Sequence, residues 1–444
     1  MYRFPENLYA DVRIEDVFET VIHYKDSKLK EEKVRTTEGA FIRVYDGSRW
    51  YYSALTDLNA IQNEIDKLAK MATPTKTIHD HPVVKAFEVN KDDVPRFEQC
   101  SLRDVDTKNK RKLLKGLLNL FNDDTIVHHE IKYVDKNTKK TFYSSKGADL
   151  HFDKQFCGIR TDMEMAFEDN RDRFSASKAG IRFEDLDSVE SFLKDEIEKN
   201  IDFIKRCEVV EGGDFPVLLS PAAAGVFTHE SFGHKSEADF MVGDETMKKA
   251  WAIGKPIGPE RLSIIDQGDI DGNGFTPYDD EGSRSRKTYL IKNGTLAGRL
   301  HSVATASELE DRPTGNARAV SFDFEPIVRM TTTYIEKGDT PLDDIIAGID
   351  NGYFIDTINH GSGMSTFTIA PSRAYRIENG EITSPVQISV ISGSVFKTLE
   401  KVEALSQEFD LLSFVGGGCG KMEQFPLPVG FGGPYTLISS LKVE

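Results

Sequence analysis

Turn chemistry constrains this fold more than any other feature of the chain. Asn293-Gly294 separates TYLIK from TLAGRL, and Asn379-Gly380 separates SRAYRIE from EITSPV. Asn-Gly accepts positive φ at both central positions, the geometry that joins antiparallel strands through a two-residue turn. Asp46-Gly47, between FIRVY (41–45) and WYY (50–52), predicts a third hairpin. Helical spacing is concentrated earlier in the chain. Ile61, Ile65 and Leu68 follow a Thr56-Asp57 cap. Leu113, Leu114, Leu117, Leu118 and Phe121 form one stripe within 102–121, and Val189, Leu193, Ile197, Ile201 and Ile204 another within 188–206, with Ser188 as N-cap. Val12, Val17, Phe18, Val21 and Ile22 predict an early helix, and 126–133 and 141–166 predict strands. The texture changes at CEVVEGGDF (207–215). The expected class is α+β: an α/β N-terminal domain over 1–206, then a β-rich, barrel- or sandwich-like domain over 207–444. The glycine- and proline-rich stretch 413–434 interleaves Cys419, Phe425, Leu427, Val429 and Phe431, and reads as a shaped loop before a final strand at 435–438.

Charge narrows the function. The 444 residues carry 56 basic and 73 acidic side chains, a net charge of −17, which opposes general nucleic-acid binding and docking on anionic membranes. No apolar run approaches the ~20 residues of a membrane span. The opening MYRFPENLYADVRIEDVFE lacks an apolar signal-peptide core. Cys100, Cys157, Cys207 and Cys419 are far apart and form no CxxC pair, so a disulfide framework is not expected and the first three read as packing residues. The expectation is a soluble cytoplasmic enzyme.

The sharpest chemical segment is GVFTHESFGHKSEADF (225–240), with His229, Glu230 and His234 in an HExxxH pattern. On a regular α-helix, positions five apart diverge by ~140°, which would aim the two imidazoles apart. A π-type turn with i→i+5 bonding would return them to one face, and Gly233 suits such a distortion. Two neutral imidazoles are good zinc ligands, and a catalytic site needs a third protein ligand and an open position. Glu237, Asp239, His301, His360 and Cys419 are the alternatives. Cys419 sits among Gly416, Gly417, Gly418 and Gly420, where the backbone can approach a site closely, and a thiolate with two histidines suits zinc better than magnesium or calcium. Alone, such a cysteine is also an ordinary small buried residue. Glu230, beside a ligand, could accept a proton from an activated water.

Several separated segments together resemble the TldD/PmbA family, the peptidase U62 group once called modulators of DNA gyrase. They are LLSPAAAGVFTHESFGHKSEADF (218–240), DDEGSRSRKTYLIKNGTLAGRL (279–300), RPTGNARA (312–319), RMTTTYIEKGD (329–339) and GGGCGKMEQFPLPVGFGGPYTLISSLKV (416–443). EGAFIRVYDGSRWYYSALTDL (38–58) carries a weaker match. The resemblance implies an α/β N-terminal domain, a β-rich, barrel-like C-terminal domain and a dimer enclosing the active site. It implies a TldD-like zinc peptidase for unfolded or short peptides, with His229, His234 and Cys419 as metal ligands and Glu230 as general base. It also offers an alternative: a non-catalytic subunit paired with a PmbA/TldE-like sister. The partner is thus a second copy or a sister chain, with no direct nucleic-acid or membrane contact. Lys235-Ser236 departs from the small residue and Leu expected after HExxxH, so Phe232 and Lys235 could reshape the pocket.

Other residues have plainer readings beside functional ones. Arg286, Arg312, Arg318, Arg329 and Arg373 could each bind a carboxylate or oxyanion, or make structural ion pairs. His360 lies on a glycine-rich loop. Asp279, Asp280 and Glu281 read as turn carboxylates or as groups orienting an imidazole. Thr314, Gly315 and Asn316 read as a turn. His128 and His129 alternate across a strand and are not a paired metal site.

Overall fold

The computed structural model describes residues 2–363 and 365–444. Its first sheet has the strand order Trp50–Leu55, Lys28–Tyr45, Tyr9–Lys25, Ile126–Ser144, Asp149–Phe167, Lys91–Val94, with Asn170–Gly180 also paired to Asp149–Phe167. The expected early helix is instead the strand Tyr9–Lys25, paired along its length on both sides. Sheet alternation explains why. Ala10 and Val12 are buried, with Ile14 packed beside them, against Ile61, Ile65 and Leu68 of the helix Ile61–Met71. Asp11, Arg13 and Glu15 face the other way and are also buried, which hides the period of two behind polar core residues. Arg13 donates to the carbonyls of Ser321 (3.1 Å) and Phe324 (2.9 Å), and Arg43 donates to Glu281 (2.9 Å).

The strand expected over 126–133 runs on to Ser144, through the polar stretch 135–140. The stretch stays extended because its polar groups find buried partners. Asp135 pairs with Lys110 at 2.6 Å, and Lys140 pairs with Asp280 from the second half of the chain. The helix Val189–Arg206 packs Leu193, Ile197, Phe203 and Ile204 onto Met163, Met165 and Phe174. Ser188 occupies its N-cap position without a side-chain hydrogen bond.

Both Asn-Gly turns form as the sequence demands. Asn293 and Gly294 have φ of 49° and 75°, and Asn379 and Gly380 have 52° and 79°. Gly213–Leu219, Asn351–Gly363, Thr366–Glu378 and Ile391–Ser394 pair in succession, and Gly430–Val443 bonds to both the first and the last, closing a five-stranded ring. The fold is therefore mixed α and β, with a barrel in its β-rich second half. The largest apolar core lies here and includes Phe227, Phe232, Trp251, Met330 and Ile355. Among the described residues, no helix is long and apolar enough to cross a membrane.

Candidate metal centre

The strand Gly213–Leu219 leads directly into the site. Ser220 caps the helix Pro221–Val226, accepting from the Ala223 N–H at 3.2 Å while its hydroxyl donates to the Asp356 carbonyl at 2.7 Å. Pro221 fits the first turn, where no N–H donor is missed. Gly225 lets this helix lie on the closing strand, since a Cβ there would stand 2.5 Å from the Gly432 nitrogen. The helix then widens into a π-helical turn, Phe227–Gly233, and the His234 N–H donates to the His229 carbonyl five residues back. This turn cancels the angular divergence of the HExxxH spacing. The His229 and His234 ring centroids are 5.1 Å apart, with the ring planes at 81°.

Cys419 completes a group of three. Its Sγ lies 3.5 Å from His234 Nε2, and one donor atom each from His229, His234 and Cys419 fall within 4.8 Å of one another. His229 is 1% exposed, yet neither ring nitrogen has a hydrogen-bond partner among the described residues. A buried imidazole with both nitrogens unpaired is costly unless something binds there. Two imidazoles and a thiol are also a donor set of zinc type with a position left open. The residues therefore fit a zinc ion. Burial pushes the Cys419 thiol up, but His229 and His234 outweigh it and hold the group well below its ordinary range. Burial pushes His234 down, but Cys419 and Glu237 raise it to about 10. The pocket thus favours thiolate, the ligating form of cysteine.

A buried polar scaffold holds these groups. Glu237 is fully buried, with its Oε2 3.3 Å from His234 Nδ1 and 2.9 Å from Lys421 Nζ. Lys421 also donates to Asp239 at 2.7 Å and to the Val328 carbonyl at 2.9 Å. One ammonium thus ties the segment carrying Cys419 to the segment carrying His234. Arg329 donates to the Cys419 carbonyl at 2.7 Å and to the Gln424 carbonyl at 3.3 Å. Glu230, half-buried, leans on the arm Asn351–Gly363, where a Cβ on Gly361 would meet its Cγ at 3.4 Å. The same arm places Asn359 and His360 in a cleft of about 970 Å³, opposite His128, His129, Arg160 and Arg173.

Comparison with known proteins now bears on this geometry. Residues 212–444 match the PmbA/TldA metallopeptidase C-terminal domain, and 10–72 match its domain 1. The chain belongs to the PmbA/TldD metallopeptidase family. A metalloprotease of Methanothermobacter thermautotrophicus is 31% identical, over 98% of this chain and 95% of its own. A zinc metalloprotease TldD homolog of Saccharolobus solfataricus is 29% identical, over 98% and 96%. Crystal structures share the fold: TldE of Thermococcus kodakarensis superposes with a TM-score of 0.76 at 18% identity, covering 98% of this chain and 96% of that one.

In this PmbA/TldD family member, the other residues weighed as ligands lie outside the three-donor group. His301 is buried beside Thr305, with its Nδ1 3.2 Å from the hydroxyl, and Asp311. His360 is exposed on the cleft wall, and Asp239 is taken up by Lys421. Arg373 binds Asp356, Asn200 and Glu196, and Arg318 holds the Met330 and Pro428 carbonyls. Arg286 pairs with Glu88, while Arg312 is exposed. Asp279 accepts from the N–H groups of Ser283 and Ala317, Asp280 binds Lys140, and Glu281 binds Arg43 and the Val303 N–H. Thr314 accepts from the His301 N–H, Gly315 has φ of 81°, and Asn316 donates to Asp266. The sequence places Glu237 among possible ligands, whereas here its carboxylate faces His234 Nδ1 from outside the three-donor group. Lys421 lies in the resembling segment 416–443, but no role is read for it there. The matching i, i+2 spacing of Glu237/Asp239 and Cys419/Lys421 is the one signal that could have exposed it.

Proposed function

We propose that this protein is a zinc-dependent peptidase in which His229, His234 and Cys419 hold the metal and Glu230 is the general base. The observation that carries this reading is the π turn, which brings the two histidines to the Cys419 thiol and leaves both His229 nitrogens unpaired among the described residues. Bound there, zinc would supply Lewis acidity and lower the pKa of a water. Glu230 takes the proton from the attacking water and returns it to the leaving amine. The buried Glu237 fixes the tautomer and orientation of His234, as carboxylates do for ligating imidazoles. The cleft lined by Asn359 and His360, on the same arm that Glu230 leans on, has the size and mixed charge to take an extended peptide, and this supports unfolded or short peptides as the substrates.

The chain would act in the cytoplasm, where four free cysteines persist. Its partner would be a second copy or a TldE-like sister, since TldE shares the fold. We also propose that the chain divides into domains near residue 207.

The test is metal content and peptide cleavage on protein purified without chelator. We expect about one zinc per chain, lost in Cys419→Ser. Glu230→Gln should keep the zinc and lose cleavage by roughly 100-fold or more. Wild-type protein that takes up no zinc, or a Glu230→Gln enzyme as active as wild type, refutes the reading.

A further inference from the structure

Glu230 lies in the π turn, and Lys235 lies in the short 3-10 turn His234–Ser236 that follows it. Both meet the end of the same hairpin. Glu230 packs at Gly361 and Gly363, while Lys235 Nζ stands 3.4 Å from the hydroxyl of Ser365. Lys235 is 7% exposed, and among the described residues no carboxylate pairs with it within 4.0 Å. Its ammonium lies 5.3 Å over the ring of Phe396, whose other neighbours are Trp251 and the exposed Lys255, 5.5 Å over the same ring. Phe232 packs tilted against Trp251, with ring centroids 4.7 Å apart. The buried lysines Lys421 and Lys110, by contrast, have carboxylates at 2.7 Å and 2.6 Å.

A buried ammonium held only by a long hydroxyl contact and an aromatic face leaves most of its bonding capacity unused. Two cations on one ring, neither in an ion pair among the described residues, set up a positive potential at this end of the hairpin. We propose that Lys235 forms an anion subsite beside the candidate metal centre and binds a carboxylate of the peptide substrate. Phe396, Trp251 and Phe232 form the apolar wall behind it. The carboxylate comes either from an acidic side chain near the scissile bond or from the substrate's free C-terminus. The inference rests on the peptidase reading and supplies its substrate class.

The test compares one neutral, C-terminally amidated peptide with versions carrying a Glu in place of Gln or a free C-terminal carboxylate. Cleavage by zinc-loaded wild type is read as kcat and KM, and binding to Glu230→Gln as fluorescence anisotropy of the same peptides. A charge-assisted hydrogen bond predicts a roughly 10- to 100-fold preference for a carboxylate, seated in KM. That preference should collapse in Lys235→Met and survive largely in Lys235→Arg, with the neutral peptide little affected. Preference for the Glu peptide alone assigns a side-chain subsite; preference for the free terminus alone assigns carboxypeptidase-like action. Cleavage of the neutral peptide with no carboxylate preference overturns the subsite and leaves the peptidase reading standing. No cleavage and no binding of any peptide overturns both. Should Lys235→Met not fold, Lys235→Gln carries the comparison.

Discussion

Glu237→Gln isolates the contribution of one buried carboxylate to the metal centre. Its Oε2 faces His234 Nδ1 at 3.3 Å and Lys421 Nζ at 2.9 Å. Glutamine preserves the shape and removes the charge. A hydrogen bond to a charged group contributes about 1.5–3 kcal/mol, and the long Nδ1 contact puts this one at the lower end. About 1.4 kcal/mol corresponds to a tenfold change in an equilibrium constant. That agrees with the ~10- to 100-fold loss of metal affinity seen when partners of ligating histidines are removed. Folding should suffer less, because Lys421 keeps Asp239 at 2.7 Å. We therefore expect zinc to bind roughly 10-fold more weakly, measured by competition with a chromophoric chelator at pH 7, with the circular dichroism spectrum unchanged. An unchanged zinc Kd in folded Glu237→Gln would show that His234 is oriented by the backbone alone, and the scaffold argument would fail.

Three further outcomes follow from described contacts. Lys421→Met should cost about 3 kcal/mol in denaturant unfolding, because it strands the buried Glu237 beside the half-buried Asp239; a loss under 1 kcal/mol contradicts the tie. Gly225→Ala brings a methyl group onto the Gly432 backbone, which has no rotamer to yield, and should cost about 1–3 kcal/mol, lowering Tm; an unchanged Tm contradicts the packing. Burial raises the Asp46 carboxyl, but N–H groups of Arg49, Ser48 and Thr73 outweigh this and hold it at about 2, below the ordinary 3.8. Its stabilising effect is therefore present above about pH 4 and lost as pH falls through 2, and Asp46→Asn should flatten the stability–pH curve between those values.

The legible parts of this molecule were those governed by local chemistry. Asn-Gly turns, a Gly-assisted π turn and amphipathic stripes require only neighbours in sequence. The strand Tyr9–Lys25 was illegible as such because Asp11, Arg13 and Glu15 on its second face are buried against distant residues, among them the Ser321 and Phe324 carbonyls. The same cause hid the strand through Asn137 and Lys140. At the site, the i, i+5 histidines predicted their own backbone distortion. Selecting Cys419 over His301 or His360 by spacing was impossible, since the partners lie 185 residues apart along the chain. The resemblance, not the spacing, singled out that cysteine. Glu237 was visible as an acid, but its job depends on Lys421, which arrives from the other end of the domain.

The closing strand has a consequence for how the protein is made. Residues 430–443 occupy the interior of the larger sheet, between 332–335 and 213–219, both synthesised long before them. Until that strand threads into place, the ring is open, and the support for the helix leading to His229 is missing. Contacts of such sequence separation form late and slowly. A chain whose closing strand has not yet docked therefore carries both histidines without a finished cage. Any hydrolytic capacity would therefore wait on the docking of this one strand, and a folding chain would not offer its own unfolded segments to a working site.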